Sequence, residues 1–115
     1  MEPLLSSMLI ELRRGTLTLA VLHQLQTPRY GYFLVQLLEQ CGVAIDQSTL
    51  YPLLRRLEKQ GLVTSSWDHS DSRPRKYYVL SEEGKVVYMQ LKKEWLAHSQ
   101  NLWNVLNGEA HHESD

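Results

Sequence analysis

The sequence contains few of the residues that mark secreted or membrane-spanning proteins. Its one cysteine, Cys41, cannot form a disulfide within the chain, which agrees with a reducing cytosol. No stretch approaches the roughly 18 uncharged apolar residues that a membrane span requires. Residues 1–10 have no basic segment ahead of their apolar residues, which argues against a secretory signal. We therefore expect a cytoplasmic protein that does not associate with membranes.

Signals of a catalytic or metal-binding site are absent as well. The sequence has no glycine-rich phosphate loop, no convincing pair of nucleophile and base, and no paired carboxylates in a predicted cleft. Its five histidines lack the spacing of metal ligands, because His23 and His98 are isolated and His111 and His112 lie in an acidic tail. Cys41 ends an apolar helical stripe, so we interpret it as a small buried thiol rather than a redox sensor. We predict neither an enzyme nor a bound metal or cofactor.

The charge of the chain is nearly balanced but unevenly distributed. The formal net charge is −1, which argues against a general polyanion-binding protein. Residues 46–80 hold six basic and four acidic residues, a net charge of +2, whereas residues 81–115 hold three basic and six acidic residues, a net charge of −3. A basic middle segment and an acidic tail indicate a localised electrostatic footprint.

Apolar spacing predicts several helices in a chain whose length fits one domain. A short first helix is expected to end near Gly15, and a second to be capped by Thr16 and to end at residues 27–28. A third helix is expected to begin at Gly31 and to stop at Gly42.

A fourth helix is predicted from Asp46, its cap, to Gln60. Leu50 is the centre of an apolar face, and Tyr51 falls broadly opposite it. Pro52 conflicts with a simple helix, since it removes one hydrogen bond, so it is expected to kink the helix or tighten its start.

Beyond Gly61 the period changes from helical to extended. Short strands are predicted at residues 62–67 and 76–80, joined by a polar loop. Ser81 then caps a long final helix. Helices, a two-stranded ribbon and a further helix are the layout of a mostly α winged helix-turn-helix.

This layout divides the chain into three parts. Residues 1–80 form the predicted winged helix-turn-helix with its N-terminal helix, and residues 81–107 form a C-terminal dimerisation helix. Residues 108–115 are expected to be a mobile tail.

A stripe along the final helix repeats at alternating spacings of three and four residues. Its members are Tyr88, Leu91, Trp95, His98, Leu102 and Val105. Packing onto the chain's own core would explain such a stripe, but the helix runs well past the small domain before it. We therefore favour a coiled-coil-like seam between two chains.

The predicted fourth helix and the wing carry the candidate DNA-binding residues. A helix-turn-helix places its second helix in the major groove, where glutamine suits adenine and arginine suits guanine, while wing cations suit the flanking backbone or minor groove. The candidates are Gln47, Ser48, Thr49, Tyr51, Arg55, Arg73, Arg75 and Lys76. Arg55 and its neighbour Arg56 would alone be read as an ordinary solvated helix face, but the nearby wing cations favour DNA binding.

Several motifs in unbroken order resemble the PadR family of transcriptional regulators. They are Tyr30-Gly31-Tyr32, Thr49-Leu50-Tyr51-Pro52, Leu54-Arg55-Arg56-Leu57-Glu58, Gly61-Leu62-Val63, Arg75-Lys76-Tyr77-Tyr78 and Leu80-Ser81-Glu82-Glu83-Gly84. The resemblance covers the chain from about Leu12 to Gly84, with the long final helix following, as in compact members that have one C-terminal helix.

The resemblance implies a dimeric repressor that is released by a small effector, often in phenolic-stress response or multidrug export. Tyr51, Arg75 and Lys76 match the DNA-facing positions of the family. Asp68 and Asp71 at the wing tip match least well, because they would repel phosphate.

The implied dimer joins the final helices and the N-terminal helices of two chains. The interface residues expected are Leu5, Met8, Leu91, Trp95, His98 and Leu102. Such a dimer would bind a pseudo-palindromic operator through successive major grooves, roughly 34 Å apart.

Trp95 is the candidate centre of an effector site. Two indoles brought together by a two-fold axis would form a slot for flat aromatic compounds or cations, with Leu12, Tyr88 and Leu91 as further lining. The alternative is that Trp95 and Trp103 are simply large interface residues. A rival for the whole protein is a winged helix used for protein interaction without a specific DNA site.

Overall fold

The computed structural model describes residues 1–108, which form four helices and a three-stranded sheet. The elements in chain order are α1 (Glu2–Gln24), β1 (Arg29–Tyr30), α2 (Gly31–Gln40), α3 (Gln47–Lys59), β2 (Val63–Asp68), β3 (Arg75–Leu80) and α4 (Glu82–Leu106). The mostly helical winged fold predicted from the sequence is confirmed. Of the tail predicted at 108–115, residues 109–115 lie outside the described part of the chain.

The first two predicted helices are one continuous helix of 23 residues. Gly15 does not end it, because the chain does not enter the left-handed region there, as it does at Gly42 and Gly61. Thr16 is not a cap, since its hydroxyl donates to the carbonyl of Arg13 within the helix at 3.0 Å. The prediction of a break was therefore wrong: a glycine inside a helix costs only about 1 kcal/mol relative to alanine, which the flanking helix-forming residues offset.

The sheet has one strand more than the predicted ribbon. The two-residue strand β1 pairs antiparallel with β3, which also pairs with β2, so the strand order is β1-β3-β2. Tyr30 lies opposite Tyr77, and Ser66 lies opposite the same residue from the other side. Two residues are too few to show a period, so sequence patterning had no signal for this strand.

The core lies where α1, α2 and α3 meet the inner face of the sheet. Its fully buried side chains are Val21, Leu22, Leu25, Leu34, Leu38, Leu50, Leu54, Leu57 and Val63. The amide of Leu80 donates to the carbonyl of Leu25 at 2.8 Å, which fixes the sheet to the end of α1. Burying side chains of this size contributes about 1.5–3 kcal/mol each, and this burial holds α3 in place.

Two helix starts follow the capping chemistry expected from the sequence. The carboxylate of Asp46 accepts the amide N–H of Thr49 at 2.9 Å, and the hydroxyl of Ser81 accepts that of Gly84 at 3.0 Å. The α3 helix continues through Pro52 without ending. A Cβ on Gly84 would lie 2.0 Å from the carbonyl oxygen of Leu62, so only glycine permits this close approach of α4 to the turn after α3.

Cys41 is exposed at the end of α2, so the prediction of a buried thiol was wrong. Leu34 and Leu38 of that stripe are buried, but Cys41 follows the last helical residue, Gln40, and so no longer lies on the buried face of α2. Within residues 1–108, no helix is long and apolar enough to cross a membrane. In the same residues, no group of side chains has the geometry of a metal site.

Candidate nucleic-acid interface

The α3 helix divides into a buried apolar face and an exposed polar face. Leu50, Leu54 and Leu57 anchor it in the core, and Gln47, Ser48, Thr49 and Arg55 are exposed. Arg56 and Lys59 are exposed near its end. The polar side chains of the first turn are therefore free to meet a ligand while the leucines fix the helix axis.

The first turn of α3 is organised around Asp46. Its carboxylate accepts the hydroxyl of Ser48 at 2.7 Å and the amide of Thr49 at 2.9 Å. These hydrogen bonds hold the pKa of Asp46 below its usual range, because they stabilise the ionised form. Ser48 is thus oriented by the cap, whereas Gln47 makes no side-chain hydrogen bond within residues 1–108.

Tyr51 does not project freely from α3, although helical spacing places it opposite the buried leucines. It is half-buried, and its ring lies against the start of α2. A Cβ on Gly31 would lie 2.6 Å from the Tyr51 hydroxyl and 2.8 Å from a ring carbon. The absence of a side chain at Gly31 therefore gives Tyr51 the space to bridge α2 and α3.

Arg75 is held by a cluster of side chains on one face of the wing. Its guanidinium donates to the hydroxyl of Tyr32 at 3.0 Å and to the carboxylate of Asp71 at 3.1 Å. It also lies 5.0 Å from the centre of the Tyr30 ring, within the range of a cation–π contact. The hydrogen bond that Arg75 donates to Asp71 raises the pKa of Arg75, so the guanidinium stays charged.

The two wing-tip acids have partners within the chain. Asp68 accepts the hydroxyl of Tyr30 and the amide of Ser70, and these bonds lower the pKa of Asp68 to about 2. The amide of Ser72 and the guanidinium of Arg75 lower the pKa of Asp71. These carboxylates therefore organise the hairpin, a role that their charge alone did not indicate.

Lys76 faces the other side of the hairpin from Arg75. Neighbouring residues of a strand point to opposite faces, and the Lys76 ammonium lies 5.9 Å from the Trp67 ring and 5.7 Å from the Tyr78 ring. Tyr78 is the link to α3. Burial raises the pKa of Tyr78. The nearby charges of Tyr51 and Glu58 also raise this pKa, and the charge of Arg55 lowers it. Lys76 therefore shares the α3 side of the sheet, and Arg75 lies on the α2 side.

A second candidate site lies where α1 and α4 cross. Tyr88 is buried there, and its hydroxyl lies 2.5 Å from Nδ1 of His23. Trp95 is 41% exposed and borders, with Tyr88, a mainly apolar pocket of about 270 Å³ that also contacts Leu19. Leu12 and Leu91 do not border this pocket within a single chain.

The predicted interface residues lie on uncovered surface. Leu5, Met8, Leu91 and Leu102 are among the large exposed apolar side chains, and His98 is also exposed. They lie on the N-terminal part of α1 and along α4. No core residue comes from α1 before Val21 or from α4 beyond Tyr88.

Comparison with known proteins identifies the family. The sequence profile described as the transcriptional regulator PadR-like family matches residues 18–90. The chain belongs to this PadR family. A transcriptional regulator of Mycobacterium tuberculosis is 31% identical over 102 residues, which are 88% of this chain and 92% of that protein.

Solved structures of PadR proteins agree with this assignment. A PadR family transcriptional regulator from Eggerthella lenta is 47% identical, with a TM-score of 0.83 over 91% of this chain and 94% of that one. A PadR-like regulator from Bacillus cereus is 26% identical, with a TM-score of 0.72 over 84% of this chain and 96% of that one.

Membership of the PadR family makes this protein a transcriptional regulator rather than an enzyme. PadR regulators bind DNA, generally as dimers. The exposed face of α3 and the wing are therefore the surfaces to consider for DNA contact in this PadR protein.

The structure adds residues that sequence reasoning did not assign to the site. Tyr30 and Tyr32 hold Arg75, and Trp67 contacts Lys76. Glu58 accepts the hydroxyl of Ser65 at 2.5 Å, which ties α3 to the wing. The Tyr30-Gly31-Tyr32 motif was visible in the PadR resemblance, but its contact with the wing depends on the pairing of β1 with β3.

Proposed function

We propose that this PadR protein is a homodimeric repressor that binds a pseudo-palindromic operator and is released by a small aromatic effector. The proposal that the protein binds DNA rests on one observation. Leucines fix α3 in the core, while the polar side chains of its first turn and Arg55 remain exposed. A rigid helix with a free polar face suits insertion into the major groove.

The proposed DNA contacts divide between base edges and backbone. Gln47 and Arg55 suit adenine and guanine respectively, and the hydroxyls of Ser48 and Thr49 suit phosphates or bases. The wing contributes cations on both of its faces. The full proposed set is Gln47, Ser48, Thr49, Tyr51, Arg55, Arg73, Arg75 and Lys76.

Tyr51 acts in this proposal from a fixed position. Its ring is wedged against Gly31, so its orientation depends on the angle between α2 and α3. A side chain with few free rotamers loses little conformational entropy when it meets DNA.

The case for a homodimer rests on uncovered apolar surface. The chain has a radius of gyration of 17.5 Å and a longest dimension of 69 Å. A compact domain of this length would have a radius of gyration of about 13 Å. The long helices α1 and α4 therefore expose apolar side chains that a second copy would cover. The proposed interface residues are Leu5, Met8, Leu91, Trp95, His98 and Leu102, and the proposed dimerisation helix is residues 81–107.

The effector is proposed to bind beside Trp95. The pocket bordered by Trp95 and Tyr88 is small in one chain, and a two-fold axis along α4 would add the partner's indole and extend it. Leu12 and Leu91, which are exposed, would then line the shared part of the slot. A ligand here changes DNA affinity only if it binds the two separations of the recognition helices with different affinity.

The first test is binding to labelled DNA from the gene's upstream region, beside a scrambled duplex, at several salt concentrations. We expect tight binding to the native fragment only, with log affinity falling by about 0.9 per phosphate contact per log unit of salt. Arg55→Ala should weaken this binding by about 1–3 kcal/mol. Arg13→Ala, which removes the same charge from the exposed surface of α1, is the matched control.

Equal and weak binding to both duplexes would contradict a specific operator in this region. Absence of binding at low salt would favour a winged helix used for protein interaction. Equal losses in Arg55→Ala and Arg13→Ala would contradict α3 as the helix that contacts DNA.

A further inference from the structure

An open aromatic groove lies between the base of the wing and the start of α2. Its volume is about 770 Å³, within the range of small-molecule sites. The side chains that define its chemistry are Tyr30, Tyr32, Phe33, Trp67, Tyr77 and Asp68. The groove shares no residue with the pocket at Trp95.

The aromatic rings of this groove stand in two orientations. Tyr30 and Tyr32 are stacked, with ring centres 6.2 Å apart and planes 16° apart. Tyr77 meets Tyr30 edge-on, at 6.2 Å and 88°. Rings arranged in this way offer both faces and edges to a ligand, as in an aromatic cage.

The chain's own cations already occupy faces of these rings. The Arg75 guanidinium lies 5.0 Å from the Tyr30 ring and 6.0 Å from the Tyr32 ring, and the Lys76 ammonium lies 5.9 Å from the Trp67 ring. These contacts show that the ring faces attract positive charge in this setting.

The charge of the groove favours the same class of ligand. Asp68 is in direct hydrogen-bond contact with Tyr30, so a carboxylate lies at the rim of the aromatic rings. The charge of Arg75, which lies over the same rings, is paired with Asp71 at 3.1 Å. Arg29 and His69 also border the groove, and the Nε–H of Arg29 donates to the carbonyl of Gln24 at 3.1 Å. An anion such as a phosphate or an aromatic carboxylate would meet Asp68 at close range and be disfavoured.

We propose that this groove binds a planar aromatic cation, stacked on the tyrosine rings and paired with the carboxylate of Asp68, with Trp67 bordering the site. The site differs in place from the effector slot beside Trp95, since the two share no lining residue. Its binding of a ligand does not depend on the operator or on repression.

The test is a titration of the full ¹⁵N-labelled protein with N-methylquinolinium, a flat bicyclic cation, followed by proton–nitrogen NMR spectra. The sequence has three tryptophans, so each indole N–H reports on its own location. Trp67→Phe assigns the signal of the groove. We expect the Trp67 indole signal to move with saturation, whether or not the Trp95 signal also moves through the separate slot between the subunits.

Ligand and protein charge are then varied separately. Naphthoate has the same bicyclic size and the opposite charge, and should leave the Trp67 signal in place. Asp68→Asn should weaken N-methylquinolinium binding about fivefold, as expected for one contact of an exposed cation. Glu39→Gln removes an exposed negative charge from the far end of α2, outside the groove lining, and should change the affinity less than twofold.

Four results would overturn the proposal. The first two are movement of the Trp95 signal without that of Trp67, and equal binding of naphthoate. The others are equal losses in Asp68→Asn and Glu39→Gln, and an unchanged spectrum at millimolar N-methylquinolinium. Dispersed spectra of each variant show that the wing remains folded.

Discussion

The hydroxyl of Tyr51 lies 2.6 Å from the position that a Cβ on Gly31 would occupy. The ring of a proposed DNA-contacting residue thus fills the space of a missing side chain on the preceding helix. The packing of α2 against α3 and the position of the Tyr51 ring therefore depend on each other.

Gly31→Ala should destabilise the fold by about 1–3 kcal/mol, because the added methyl group forces the Tyr51 ring to move. Denaturant unfolding measures this loss. The double variant Gly31→Ala, Tyr51→Ala should recover part of it, since the clash is then removed. A single Gly31→Ala variant as stable as the native protein would contradict the tight packing.

Gly84→Ala should be more harmful, since its Cβ would meet the backbone oxygen of Leu62 at 2.0 Å. We expect a loss of about 3 kcal/mol or more, because backbone cannot swing away as a side chain can. Gly15→Ala is the control. Its Cβ meets no atom within 4 Å, and alanine should stabilise α1 by up to about 1 kcal/mol. The melting temperatures of the two variants should shift in opposite directions.

Asp71→Asn should strengthen DNA binding about two- to fivefold at low salt. The substitution removes the carboxylate that binds Arg75 and leaves the guanidinium free for a phosphate. Fluorescence anisotropy with a labelled operator measures the change. Glu94→Gln on α4 removes an exposed negative charge away from the wing and should have little effect. Equal gains in both variants would indicate a general charge effect instead.

Asp68 should stabilise the folded wing above about pH 4 and lose this contribution as the pH falls. Its pKa in the folded protein is about 2, below the ordinary value of 3.8, so the unfolded state takes up the proton first on acidification. Acid unfolding followed by Trp fluorescence should therefore be less steep between pH 4 and pH 2 in Asp68→Asn. The same steepness in the native protein and in Asp68→Asn would contradict the assignment.

The assembly should sediment at twice the chain mass of 13.4 kDa. Leu102→Glu places a charge in the proposed seam, where it would be desolvated, and should shift the protein to monomer. Gln100→Glu places the same charge on another face of α4 and should leave the dimer intact. Sedimentation equilibrium separates these outcomes, and a dimer that tolerates Leu102→Glu would exclude this seam.

Local chemistry explains why much of the fold was predictable. Asp46 and Ser81 cap helices because their side chains reach amides three residues away, an interaction that needs no other part of the chain. The leucines of α3 repeat at helical spacing, and they are buried as that spacing predicts. The DNA-binding candidates on α3 followed from the opposite face of the same pattern.

The contacts that organise the wing were not predictable in this way. Arg75 and Lys76 are adjacent in sequence and form one basic group there, yet the strand directs them to opposite faces. The charge of Asp68 and Asp71 alone predicts repulsion of phosphate. Their partners Tyr30 and Arg75 are assigned only when the hairpin folds onto β1.

The sequence by itself determined the winged helix-turn-helix order, the caps at Asp46 and Ser81 and the motifs of the PadR resemblance, because each depends on residues within a few positions of one another. Tertiary structure decided the strand at Arg29–Tyr30, which exists through its pairing with β3, and the placement of Tyr51 against Gly31. In these cases a weak local preference met a stronger contact between distant segments. The free energy of packing exceeded that of the local preference, and it set the geometry.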